Sequence, residues 1–95
     1  MIFITNEKEL VIDNTILFFY SSDIHNTLTK SIYEYIHKLE KIYNVLCCDI
    51  YYFKSFVKRF DLHQLPSIII FEDGKEKEKL NGEIAVKDFC TKLEK

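Results

Sequence analysis

The residues best suited to covalent chemistry in this chain are its three cysteines, Cys47, Cys48 and Cys90. Cys47 and Cys48 are adjacent, a spacing unsuited to ordinary disulfide geometry. An odd total in a chain with no evident export signal points to reduced thiols, not to a disulfide framework. Both adjacent cysteines fall within the apolar run Val45–Ile50. If that run is a strand, their side chains point to opposite faces and at least one is buried. Cys90 sits among Val86, Phe89 and Leu93 and is also expected inside. Apolar burial raises a thiol's pKa and makes it inert. Structural thiols are therefore preferred over a redox role through Cys47 or Cys48, with a metal or regulatory role ranked last.

A second chemical candidate is the polar break holding Ser21, Ser22, Asp23 and His25. These types could compose a nucleophile, base and orienter, but a triad is defined by geometry and needs an oxyanion hole. No glycine-flanked serine elbow is present. Asn26 or Asp23 is better explained as a cap for the helix that follows, accepting its free N–H groups. A phosphate or peptide carboxylate could use the same helix N-terminus. His25, His37 and His63 are scattered without ligand spacing to cysteine or carboxylate, so no metal site is expected. Gly74 and Gly82, the two glycines, both fall in turns, which leaves no phosphate-cradling loop.

The elements that must position these residues follow from the apolar pattern. Ile2–Thr5 is a short β-rich run, and Asn6–Asp13 has room for a short helix. Thr15–Tyr20 is continuously apolar and rich in β-branched and aromatic residues, as in a strand buried on both faces. From Thr27 to Tyr43 the period becomes helical. Leu28, Ile32, Tyr35, Ile36, Leu39, Ile42 and Tyr43 share one face, while Lys30, Glu34, His37, Lys38 and Glu40 lie mostly toward solvent. Val45–Ile50 is a second strand, and Tyr51–Phe60 supports a helix with Phe53, Phe56, Val57 and Phe60 inward. After Leu65-Pro66, Ser67–Phe71 is a third strand. Asp73-Gly74 turns into Lys75–Leu80, a charged strand at or near a sheet edge. Glu83–Lys95 closes the chain as an amphipathic helix with Val86, Phe89, Cys90 and Leu93 inward. The order β-(α)-β-α-β-α-β-β-α predicts an α/β fold. Its central mixed sheet of four to five strands is flanked by helices on both faces.

Composition sets the outer bounds. Ninety-five residues make one domain spanning 1–95, and 47% hydrophobic content is far above that of a disordered chain. A net charge of −2, with 13 basic residues interleaved among 15 acidic ones, argues against a nucleic-acid partner. The apolar runs fall well short of the roughly 18 residues a membrane span needs. With no basic leader near Met1, a cytoplasmic location is expected, the nucleus being the alternative.

This arrangement resembles the thioredoxin fold over nearly the whole chain. Ile16-Leu17-Phe18-Phe19-Tyr20 stands where that family has its central strand. Leu65-Pro66-Ser67-Ile68-Ile69-Ile70-Phe71 stands where it has an apolar residue, a cis-proline, Thr and an apolar strand. Asp73-Gly74 and Gly82 match the hairpin turn and the glycine before the last helix. The family's Cys-x-x-Cys is missing. Its window is Ile24-His25-Asn26-Thr27, give or take one residue, and no cysteine precedes Cys47. Phe18 occupies the place of the family's buried Asp, and Asp23 that of its Trp. Dithiol exchange needs a low-pKa thiolate and a resolving thiol beside it, so ordinary thioredoxin catalysis is not expected.

The resemblance leaves the binding side of the site. It implies a groove made by Ser21–Asn26, His63–Pro66 and Asn81-Gly82. Asp23, Ile24, His25, Asn26, Thr27, Leu65, Pro66 and Gly82 are its candidate residues, with Pro66 in cis and Leu65 pairing its backbone with an extended segment. His63 would lie at the rim, placed for a proton-dependent contact. The expected function is a redox-inactive module that binds protein or peptide, as a monomer or weak homodimer, with no catalytic residue and no cofactor. Cell redox homeostasis is the process the family suggests. The alternative is a noncanonical thiol–disulfide oxidoreductase or redox sensor using Cys47, Cys48 or Cys90. A third reading is a structural subunit that dimerises through exposed aromatics such as Tyr33 and Tyr51-Tyr52.

Overall fold

Continuous β-branched and aromatic runs cannot satisfy their backbone groups alone, and here they pair into one five-stranded sheet. Its strands are β1 (Ile2–Phe3), β2 (Thr15–Tyr20), β3 (Asn44–Asp49), β4 (Ser67–Glu72) and β5 (Lys75–Asn81), in the order β1-β3-β2-β4-β5. The computed structural model describes residues 2–10, 13–24 and 29–93, with Leu93 known by its backbone alone. β1 and β2 run parallel to β3, while β4 is antiparallel to both β2 and β5. β2 lies at the centre, and its residues Thr15 to Phe19 are all buried, as a run apolar on both faces requires.

Alternation along the strands divides the core into two layers. Leu17, Phe19, Leu46, Cys48 and Ile69 point to one face, where Phe56, Phe60 and Leu62 cover them. Ile16, Phe18, Val45, Cys47, Ile68 and Ile70 point to the other, under Ile32, Ile36, Leu39, Val86 and Cys90. The first face is capped by helix α2 (Ser55–Arg59). The second is capped by α1 (Lys30–Leu39) and α3 (Glu83–Leu93). The adjacent cysteines thus face opposite layers, as a strand period of two demands.

Helices α1 and α2 are shorter than the apolar periodicity predicts. Thr29 is the cap of α1, its hydroxyl accepting from the Ile32 N–H at 3.2 Å, in place of the expected Asn26 or Asp23. After Leu39 the chain tightens into turns, so Ile42, expected inside, is 58% exposed. The segment before α2 is held by Asp49, whose carbonyl accepts from Tyr52 N and Phe53 N at 3.1 and 3.0 Å. That turn delays the helix to Ser55. It also rotates Val57 outward, to 43% exposure, where an inward position was expected. Leu28 lies outside the described residues, as does the side chain of Leu93.

The β4–β5 hairpin turns at Asp73-Gly74, both at positive φ (54° and 78°). That is the conformation a tight two-residue hairpin requires, and it suits this pair. β5 is one edge of the sheet, and its Lys/Glu alternation faces solvent over Lys75–Glu78. Among the described residues no helix is long and apolar enough to cross a membrane.

Candidate functional site

The loops that leave β2 and enter β4 meet at one end of the sheet. Ile24 contributes from the first loop. Leu62, His63, Gln64 and Leu65 contribute from the second, and Val57 from α2. Together they line an apolar groove of about 360 Å3. Ile24 is 52% exposed, a large aliphatic side chain held at the surface.

Each loop is fixed by a specific polar device. Asp49, at the end of β3, is 8% exposed. Its Oδ1 accepts from Ser22 N and from Tyr51 N, both at 3.0 Å, so one carboxylate ties the β2 exit loop to the β3 exit loop. Ile24 N then donates to Ser21 O at 3.1 Å, closing a turn, and the Ser21 hydroxyl donates to the Asp23 carboxylate. Asp23 is therefore engaged inside its own loop, not at the start of α1.

On the other side, the fully buried Ser67 hydroxyl bridges the Gln64 carbonyl and the Asn81 side-chain amide, the latter at 3.1 Å. The Leu65–Pro66 peptide is cis, and Gly82 N donates to Pro66 O at 2.8 Å. Gly82 has a φ of 91°, and a Cβ placed there would lie 2.5 Å from Gln64 Oε1. A side chain at position 82 is thus opposed chiefly by backbone conformation, since the Gln64 amide is the mobile end of a side chain.

Of the expected site residues, Ile24 and Leu65 share the groove, while Pro66 and Gly82, joined to each other by a backbone hydrogen bond, are not among its lining residues. Asp23 stands beside Ile24. His25, Asn26 and Thr27 lie outside the described residues. His63 is at the rim, its Nε2 3.3 Å from the Asp61 carboxylate, with both side chains exposed. Sequence reasoning did not single out Asp49. It is the one charged residue inside the run Val45–Ile50, and its partner Ser22 is 27 residues away.

The thiols are placed differently. Cys47, Cys48 and Cys90 are at most 2% exposed. Burial pushes both Cys47 and Cys48 up to about 12, so at neutral pH they are protonated. Among the described residues no three His, Cys, Asp or Glu side chains group to hold a metal ion.

No family model and no curated protein sequence matches the chain. Solved structures do. Oxidized thioredoxin O1 from Arabidopsis thaliana is 16% identical, with 98% of this chain and 94% of that one covered and a TM-score of 0.75. Oxidized mitochondrial thioredoxin 3 from Saccharomyces cerevisiae is 18% identical over 98% and 95%, with a TM-score of 0.72. A chain from work on thiol resolving in yeast mitochondrial 1-Cys peroxiredoxin through glutathione and thioredoxin systems is 18% identical over 98% and 95%, at 0.71. Such identities speak for the backbone and not for the chemistry. By its fold this chain is thioredoxin-like, with Cys47-Cys48 buried in β3 and no Cys-x-x-Cys in its sequence.

Proposed function

We propose that the chain is a redox-inactive thioredoxin-like module that binds an extended protein or peptide segment along the edge at Leu65 and Pro66. One observation carries the reading. Leu65 lies at the surface of an apolar groove, and among the described residues its N–H and C=O have no hydrogen-bond partner. An extended segment would pair with those two groups and lay one apolar side chain against Ile24 and Val57. Asp23 would flank the bound chain, and Pro66 and Gly82 would hold the edge in place. The thiol alternative draws no support from burial or from pKa, because exchange requires an accessible thiolate.

The test is selection of linear peptides from a random display library on the immobilised full chain, followed by binding to Ile24→Asp and Val57→Asp. Both side chains are exposed, so the variants should fold as the parent does. Selected peptides should lose roughly tenfold or more in affinity on either variant, as expected when a charge enters an apolar contact. Equal affinity for parent and variants would place binding elsewhere and end the proposal.

A further inference from the structure

Three parallel strands end together on one side of the sheet, β1 at Phe3, β2 at Tyr20 and β3 at Asp49, with Tyr20 level with Asp49. The carboxyl ends of parallel strands are where α/β sheets open crevices for ligands. Here Phe3, Thr5, Tyr20, Asp49, Tyr52 and Phe53 line, with Ile4, a pocket of about 470 Å3. It shares no described lining residue with the groove at Leu65.

The walls are aromatic and the one formal charge is negative. The Phe3 and Tyr20 rings meet at 83° with centroids 6.0 Å apart, making a corner. Tyr52, 73% exposed, stands at the mouth with its ring fixed at 87° to Tyr51. Asp49 is 8% exposed and brings a carboxylate to this wall, with only its Oδ1 spent on Ser22 N and Tyr51 N. No Lys, Arg or His is among the described residues lining the pocket. Burial, and then the Asp49 charge, push the Tyr20 phenol up to about 12, so it brings no second charge to the pocket.

Ring faces carry negative quadrupole potential and attract a cation within about 6 Å. A bare metal ion would need several oxygen ligands, and this wall has one carboxylate. A neutral apolar ligand would cover that carboxylate with no compensating gain. A methylated ammonium fits both features, being cationic and jacketed in methyl groups. The volume lies in the range of small-molecule sites. We propose that this pocket binds a small molecule bearing a methylated ammonium group, held among the aromatic side chains of Phe3, Tyr20, Tyr52 and Phe53 with Asp49 as its counter-charge.

The experiment is a two-dimensional NMR titration of the whole chain with choline, with its neutral carbon isostere 3,3-dimethylbutan-1-ol, and with a trimethyl-lysine peptide. Choline should saturably shift the amides of Thr5, Tyr20, Asp49 and Tyr52, and should bind about tenfold or more tightly than the isostere. Tyr52→Leu keeps apolar bulk at an exposed position. It should weaken choline by roughly three- to tenfold and leave the isostere unchanged. Asp49→Asn should weaken choline further, and the Tyr52 result stands by itself if that variant fails to fold. Equal binding of choline and isostere would overturn the proposal, as would no saturable shift by about 100 mM choline. Tighter binding of the trimethyl-lysine peptide than of choline would replace the small molecule by a protein partner and likewise overturn it.

Discussion

Alkylation of Cys47 and Cys48 in the native protein should be suppressed by about a thousandfold or more relative to the same thiols in denaturant. Two features set that figure, one for reaction in the folded chain and one for reaction through its opening. A thiol with the ordinary value near 8.5 is about one-tenth ionised at pH 7.5. One held at about 12 is ionised to about three parts in a hundred thousand, roughly 3,000-fold less. The second feature is access. Both thiols are at most 1% exposed in β3, a strand paired on both sides, so reagent reaches them only through near-global opening. A domain of 95 residues has about 5–14 kcal/mol of stability, which puts the open fraction below about one in a thousand. The assay is iodoacetamide labelling of reduced protein, quenched over time and mapped by peptide mass spectrometry. Rates should rise with pH without a plateau below about pH 10. A native rate within tenfold of the denatured rate, or a plateau near neutral pH, would refute the reasoning and revive the redox alternative at that residue.

Three further outcomes follow from the same geometry. Below about pH 8.5 the two thiols are protonated in both folded and unfolded chains. Above it the unfolded chain releases its protons first, so stability should fall by about 1.4 kcal/mol per pH unit for each thiol until its folded value near 12 is reached. Urea midpoints from pH 8 to 10 check this, and Cys48→Ala should flatten the slope; an unchanged slope in that variant would contradict the assignment. Gly82→Ala should cost about 1–2 kcal/mol from its φ of 91°. Adding Gln64→Ala should recover little, because the clashing Oε1 is the mobile end of a side chain, and full recovery would show that contact, not conformation, decides. Asp49→Ala should cost about 2–4 kcal/mol in urea unfolding by releasing Ser22 N and Tyr51 N, whereas Asp49→Asn, which keeps an acceptor, should cost less than half of that.

The strands were legible because their signal is local. Thr15–Tyr20 was placed to the residue, and the β3 and β4 runs to within one, since a continuous β-branched and aromatic run has few other ways to bury both faces. Helix ends were less legible, because single hydrogen bonds in the flanking turns decide them and several nearby residues could supply each. Val57 fits a helical stripe, yet the turn at Asp49 and the short span of α2 leave it at the surface, where it lines the groove. Thr29 caps α1 because its hydroxyl lies three residues before Ile32, a spacing that Asp23 and Asn26 lack. The groove was legible in part. Ile24 and Leu65 were expected there through the resemblance, but the packing of Gln64 over Gly82 needs the folded loops. Of the pocket at Phe3, Tyr20, Asp49 and Tyr52, only Tyr52 was legible, as an exposed aromatic, since the other three come from strand ends that only the sheet brings together.

The most direct measurement on the central claim is the affinity of one display-selected peptide for the chain, before and after N-methylation of each of its peptide bonds in turn. Pairing with the Leu65 backbone predicts that one bond, next to the residue seated against Ile24 and Val57, is sensitive. Methylating it should lower affinity by roughly tenfold or more, as expected for a lost hydrogen bond with its partner left unmade. Equal tolerance of methylation at every bond, or a library that yields no peptide, would contradict the account.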